Sequence, residues 1–207
     1  MGKAAETLTS SNGYYSNDTR ALMLMASALG LKDRYTHAHA HRVAQYAKRL
    51  AVRAGLSMVE VLQVAMGGML HDVGKLALSD QILCNRQAAL TEDMLAQVRN
   101  HPLIGAALLE KYCCAQAISD AVLFHHERND GSGYPFGLKD EEIPLSAKIV
   151  SIADCFDAMT TDRPYQRRKS RVVATSLLTE SAGVRLDAVL VPLFIEEIQN
   201  NGMAHHR

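Results

Sequence analysis

The sequence predicts an all-α fold, one helical bundle interrupted by a single long loop. Three observations carry this. Ala, Leu, Met, Glu, Lys and Arg outweigh the β-branched residues, which favours helix. Apolar residues recur at helical spacing in segment after segment, punctuated by Gly, Pro and capping residues. Only residues 128–144, which include Gly131, Gly133, Pro135 and Gly137, form a long irregular stretch, and such a stretch inside a compact domain is a candidate functional site. With 207 residues, 48% of them hydrophobic, the chain can build a sizeable core, and wholesale disorder is excluded.

The elements follow in order. Residues 1–17 are polar and Ser/Asn-rich and are expected to form a flexible leader. A helix is expected over 18–29, stopped by Gly30. The next covers 33–54, with Val43, Tyr46, Ala47 and Leu50 on one face and Gly55 as its stop. Ser57 and Glu60 form a capping box for a third helix that runs toward His71. Thr91 opens another helix as TEDM. Pro102 restarts the chain in HPLIGAALLEKY, and 115–127 reads as a helix ending in a histidine pair. After the loop come helices over 145–160, 171–181 and 186–199, then a flexible tail over 201–207. Residues 18–200 therefore read as one domain. Met23, Met25, Met66 and Met69 are expected to fill the core.

Formal net charge is zero, so no global basic field points to a nucleic acid polymer. No apolar run reaches the ~18 residues of a membrane span, and the first residues lack the apolar core of a signal peptide. Cys84, Cys113, Cys114 and Cys155 form no CxxC pair and read as reduced thiols of a cytoplasmic protein. Nine histidines are the compositional hint of metal or proton chemistry.

Several polar groups interrupt segments that should face a core: His39 in THAHAHRVA, His71 and Asp72 after VAMGGML, His125 and His126 after ISDAVLF, and Asp154 in KIVSIADCFDAM. Burying several such groups is untenable unless something neutralises them. Imidazole and carboxylate together suit a divalent Fe, Mn, Co, Ni or Zn, and the cysteines are wrongly placed for a thiolate site. Neighbours on a helix diverge by ~100°, but at a helix end His71 and Asp72 can flank one metal or bind two. A carboxylate can bridge two ions and a histidine cannot, so Asp72 is given the bridging role. Two metals ~3.5–4 Å apart can hold a bridging hydroxide and clamp a phosphate for in-line displacement. Lys75 beside such a site stabilises an anion there, which favours a phosphate substrate. Gly133 lets backbone approach a ligand, Tyr134 offers a ring and a hydroxyl, and Arg163 in DRPY can fork to a second phosphate.

The blocks HDVGK (71–75), HHERNDGSGYPFGL (125–138) and ADCFDAMTTDRPY (153–165), in this order, resemble the HD-GYP family of bacterial HD-superfamily phosphodiesterases. DRYTHAHAHRV (33–43) and NHPLIGAALL (100–109) extend the likeness over about 20–198. The resemblance implies an HD-type helical bundle with a GYP loop, acting as a catalytic domain that hydrolyses cyclic di-GMP to pGpG and then, by a further step, GMP. It implies metal ligands at His39, His71, Asp72, His101, His125, His126 and Asp154; only the resemblance singles out His101. Lys75 matches the lysine of the family's HD-x-GK motif, Tyr134 the tyrosine of GYP and Arg163 a substrate-contacting arginine.

Two departures stand out. Where some members hold a third metal through a glutamate, this chain has Tyr35, so two divalent ions are expected, Fe or Mn ahead of Zn, Co or Ni. Gln166 stands where a basic residue usually follows RPY. No receiver or sensory domain precedes the matched region in this sequence. Asp157, three residues after Asp154, holds a ligand histidine or Arg163, or merely caps the local network. His37 and His41 are expected on the surface. Glu127 is expected to support a neighbour or face solvent. The alternatives to a phosphodiesterase of cyclic di-GMP are a cyclic-dinucleotide-binding adaptor that has lost turnover and a hydrolase of another cyclic dinucleotide. A protein partner or a homodimer is compatible with each.

Overall fold

The computed structural model describes residues 11–32, 34–83, 90–112, 114–162 and 167–203. The helices are α1 (Ser11–Lys32), α2 (Arg34–Arg53), α3 (Met58–Leu70), α4 (Asp80–Leu83), α5 (Glu92–Arg99), α6 (His101–Leu109), α7 (Gln116–Phe124), α8 (Leu145–Thr160), α9 (Arg171–Ser181) and α10 (Leu190–Met203), with 3-10 turns at Val73–Ala77 and Asp140–Glu142. Among the described residues no strand forms, and β pairing is limited to two isolated bridges, Asp130 with Lys139 and Ala182 with Leu186. No helix there is long and apolar enough to cross a membrane. The all-α reading holds.

Local chemistry explains most boundaries. Ser57 Oγ accepts from Glu60 N while the Glu60 carboxylate accepts from Ser57 N, the expected capping box of α3. Thr91 caps α5 through Met94 N, and Ser170 caps α9 through Val173 N. Three expectations shift. α1 starts before residue 18 and runs through Gly30, which is where α1 meets α2: a Cβ there would lie 2.6 Å from His37. His37 is accordingly half-buried rather than a surface residue, while His41 is exposed. α7 ends at Phe124, so the histidine pair lies just beyond the helix instead of inside it.

Two apolar clusters hold the bundle. The larger joins α2, α3, α8, α9 and α10 around Phe156 and Phe194, whose rings meet edge to face with Tyr46 at 5.2 Å and 6.0 Å. The smaller joins α1, α3, α6 and α7 through Leu22, Leu70, Leu109 and Val122. Met25, Met66 and Met69 pack against it as expected, whereas Met23 faces outward, 48% exposed. α3 belongs to both clusters, and its C-terminal end is where the polar residues gather.

Candidate metal centre

The approach of three helices begins with two glycines in the apolar run of α3. A Cβ at Gly67 would lie 2.5 Å from Ala121 Cβ of α7, and one at Gly68 would lie 3.1 Å from Ala44 Cα of α2. Their absence brings α2, α3 and α7 close enough for His39, His71 and His125 to meet, with ring centroids 5.2 Å and 5.0 Å apart. Gly74 does the same for α6: a Cβ there would run into His101 O. The turn after α3 therefore seats Asp72 against His101.

His71, His101 and His125 are aimed by one local device. Each ring Nδ1 donates to the carbonyl three residues earlier: His71 to Gly68 O (2.8 Å), His101 to Val98 O (2.6 Å) and His125 to Val122 O (2.9 Å). Those carbonyls belong to the last turns of α3, α5 and α7, where the helix leaves C=O groups without internal partners. A carbonyl only accepts, so each Nδ1 carries its proton and each Nε2 turns a lone pair toward the centre.

His39 is aimed differently. Its Nδ1 lies 2.7 Å from Asp157 Oδ2 and its Nε2 3.2 Å from Asp154 Oδ1. Arg42 forks onto the fully buried Asp157, Nε to Oδ1 at 2.6 Å and Nη2 to Oδ2 at 3.0 Å. Asp157 thus holds a histidine and is itself held by Arg42. Arg163 and Gln166 lie outside the described residues, as do the side chain of Tyr35 and Cys84 and Cys113.

Donor atoms of Asp72, His101, His125 and His126 lie within 4.8 Å of one another, as do those of His39, His71 and Asp72. Asp72 belongs to both groups: its Oδ1 is 3.2 Å from His101 Nε2, and its Oδ2 is 3.4 Å from His71 Nε2 and 2.6 Å from Lys75 Nζ. His101 and His125 face each other Nε2 to Nε2 at 3.3 Å. Both Nδ1 atoms already donate, so two neutral rings would oppose lone pairs.

Burial, and then the neighbouring His126, keep the His125 pKa well below the usual imidazole range. Burial likewise takes His126 down to about 3. The Asp72 carboxyl, which burial alone would raise, is held well below its usual range by Lys75, His71 and His101. For Asp154, too, burial is outweighed by the His39 hydrogen bond and the histidine charges, and its pKa falls. Burial lowers the His39 pKa, but hydrogen bonds to Asp154 and Asp157 carry it to about 9. Imidazole Nε2 atoms converging with ionised carboxylates in a buried space fit a divalent cation, which would also displace the His39 proton.

The loop meets this centre on one side. Tyr134 stacks on His126 with centroids 4.6 Å apart, and Arg99 Cζ lies over the Tyr134 ring, 5.9 Å from its centroid. Burial, and then the Asp72 and Asp154 charges, raise the Tyr134 pKa, so it keeps its proton. Gly133 serves a purpose the sequence reading did not give it. The groups that its missing Cβ admits are Glu127 Cα and Arg128 N at 2.5 Å, the chain's own backbone. Glu127, 2% exposed, accepts from Phe136 N (2.7 Å) and Leu138 N (3.0 Å) and so ties the loop to the histidine pair. Sequence reasoning passed over Arg42 and left Glu127 without a partner. The signals available were Arg42 one turn after His39 and an acid directly after His126.

Residues 23–190 match the HD domain family. The chain is 38% identical over 182 residues to the cyclic di-GMP phosphodiesterase response regulator RpfG of Xanthomonas campestris, an alignment covering 87% of this chain and 48% of that protein. It is 35% identical over 174 residues to a 3′3′-cGAMP-specific phosphodiesterase of Vibrio cholerae, covering 83% and 33%. In fold it is similar to a solved cyclic GMP-AMP-specific phosphodiesterase of V. cholerae, with a TM-score of 0.68 at 18% identity over 87% of this chain and 48% of that one. The chain spans less than half the length of these relatives.

Proposed function

We propose, because the chain belongs to the HD-GYP group of the HD-domain family, that it is a metal-dependent phosphodiesterase that opens cyclic di-GMP. The observation that carries this reading is the placement of Asp72, one oxygen toward each of two histidine groups. His101, His125 and His126 would hold one cation and His39, His71 and Asp154 the other, with Asp72 shared between them. The His/Asp set accepts Fe, Mn, Zn, Co or Ni, and the family resemblance favours Fe or Mn among them. Bound there, two divalent ions supply positive charge for the phosphoryl oxygens and make water a stronger nucleophile at neutral pH.

The chain's own residues do the rest. Lys75 partly reaches solvent while its Nζ neutralises Asp72, so it is placed to meet a phosphoryl oxygen at the same edge. Tyr134 keeps its proton and can donate it in a hydrogen bond to the substrate. The carbonyl-held histidines keep their Nδ1 protons and cannot swing away from the centre. Water attacks phosphorus, the bond from phosphorus to the ribose 3′ oxygen breaks, and that oxygen leaves with a proton. The product is linear pGpG, and no covalent enzyme intermediate is required. Residues 18–200 form the catalytic domain in this reading.

The test is incubation of Mn- or Fe-loaded protein with cyclic di-GMP, followed by identification of the product. The expected result is pGpG from the unaltered chain and none from the double variant His71→Ala/Asp72→Ala. Tight binding of cyclic di-GMP without hydrolysis would favour an adaptor instead.

A further inference from the structure

Beside the candidate metal centre lies a cavity of about 280 Å³ that the reaction described above does not use. His125, His126 and Asp154 line it together with residues of α8, α9 and the loop that follows α9. Cys155, Ala158 and Met159 of α8 contribute to its lining, as do Leu178 and Leu186. Arg128 and Arg185, both exposed, line it as well. The two arginine segments are joined by a hydrogen bond from Asn129 N to Arg185 O at 3.3 Å.

We infer that this cavity is the subsite for one guanine base of the substrate, with Arg185 and Arg128 selecting guanine over adenine. The inference rests on the phosphodiesterase reading. Its support comes from size, lining and position. Pockets that take whole drug-sized ligands run to about 300–1,000 Å³. This cavity falls just below that range, so it takes part of a dinucleotide rather than all of it. Apolar walls suit the two faces of a flat ring, and a methionine thioether makes favourable contacts with aromatic rings. The nucleotide whose phosphate sits at the centre has its base within reach of a space that opens from the same histidines.

The arginines add direction. A guanidinium fork matches the O6 and N7 acceptors of guanine. Adenine presents an N6 amino donor where guanine has O6, so the fork would oppose a donor with a donor.

The experiment compares cyclic di-GMP, cyclic di-AMP and bis(p-nitrophenyl) phosphate, which has no base, as substrates for Mn-loaded protein and two variants. Ala158→Leu narrows the cavity and Arg185→Gln removes the fork. Cyclic di-GMP is expected to be preferred over cyclic di-AMP. Ala158→Leu is expected to lower kcat/KM for cyclic di-GMP by about 10-fold or more while leaving bis(p-nitrophenyl) phosphate within about twofold, because a space-filling leucine excludes the base. Arg185→Gln is expected to reduce the preference for cyclic di-GMP by about 5- to 100-fold, the worth of one bidentate base contact. If Ala158→Leu does not fold, the Arg185→Gln preference decides alone. Unaltered cyclic di-GMP turnover in both variants, or equal loss on all three substrates, would overturn the subsite and leave the phosphodiesterase reading standing. Hydrolysis of bis(p-nitrophenyl) phosphate with no turnover of any cyclic dinucleotide by the unaltered chain would overturn both.

Discussion

The two sides of the candidate metal centre are built from the same side chain and held by different means. On one side, His101 and His125 are fixed by backbone carbonyls at helix ends, as His71 is beside His39, so the aim of these three is a property of the helices. On the other, His39 sits within a helix whose carbonyls are already engaged, and its aim depends on a carboxylate that depends in turn on an arginine. The difference teaches where substitutions can act. A backbone carbonyl cannot be mutated away, whereas Asp157 and Arg42 can. The His39 side is therefore the side that other residues of the chain can adjust.

Asp72 joins the two sides, and removing it should have the largest effect. Asp72→Ala is expected to abolish binding of both ions and to lower turnover by about a thousandfold or more, since metal charge supplies several kcal/mol to such a reaction; metal analysis and product formation check this. Asp157→Ala should separate the sides. Metal titration is expected to show one affinity weakened by about 10- to 100-fold and the other unchanged, the usual cost of losing a group that orients a metal-binding histidine. Arg42→Lys keeps the charge but loses the fork, and is expected to shift the same affinity less. Equal weakening of both affinities by either variant would break the comparison.

Glu127 offers a smaller test on the carbonyl-held side. Glu127→Gln leaves one oxygen for two amide donors, and the loop is expected to lose about 1–2 kcal/mol of local stability. The measurement is faster hydrogen exchange at the Phe136 and Leu138 amides. The smallest effect lies away from the centre. Asp187 accepts from Val189 N and Leu190 N at 2.9 Å and from Lys148 at 3.0 Å. Burial works to raise its pKa, but these bonds, Leu190 N first, bring it below the usual carboxylate value. A lowered folded-state pKa stabilises above the unfolded value, near 4, and that stability is lost as pH falls through the folded value. Asp187→Ala is expected to cost about 1 kcal/mol at neutral pH and less in acid, by thermal unfolding at both pH values.

Helical spacing and caps made much of the fold legible. α8 and α9 fall at the expected residues because Thr160 and Ser170 bound clear apolar runs. Gly30 misled, because a glycine that stops a helix and one that admits a neighbouring helix look alike in one sequence. The polar interruptions exposed His39, His71, Asp72, His125, His126 and Asp154, since each breaks an apolar segment. His101 follows Asn100 at a helix junction and breaks nothing, so only the family resemblance marked it. Arg42 acts through Asp157, distant in the chain, and Glu127 through amides on the far side of its loop, and no local pattern reveals either pairing. For the same reason the backbone that Gly133 accommodates is hidden in the sequence: Glu127 and Arg128 come against it only once the loop is folded.

The most direct test of the shared-carboxylate centre is metal content measured together with cyclic di-GMP hydrolysis, on anaerobically purified chain and on Asp72→Ala. Two ions per chain with pGpG formation, and loss of both in the variant, is the predicted result. Hydrolysis that persists in Asp72→Ala, or a chain that holds two ions and leaves cyclic di-GMP intact, would contradict it.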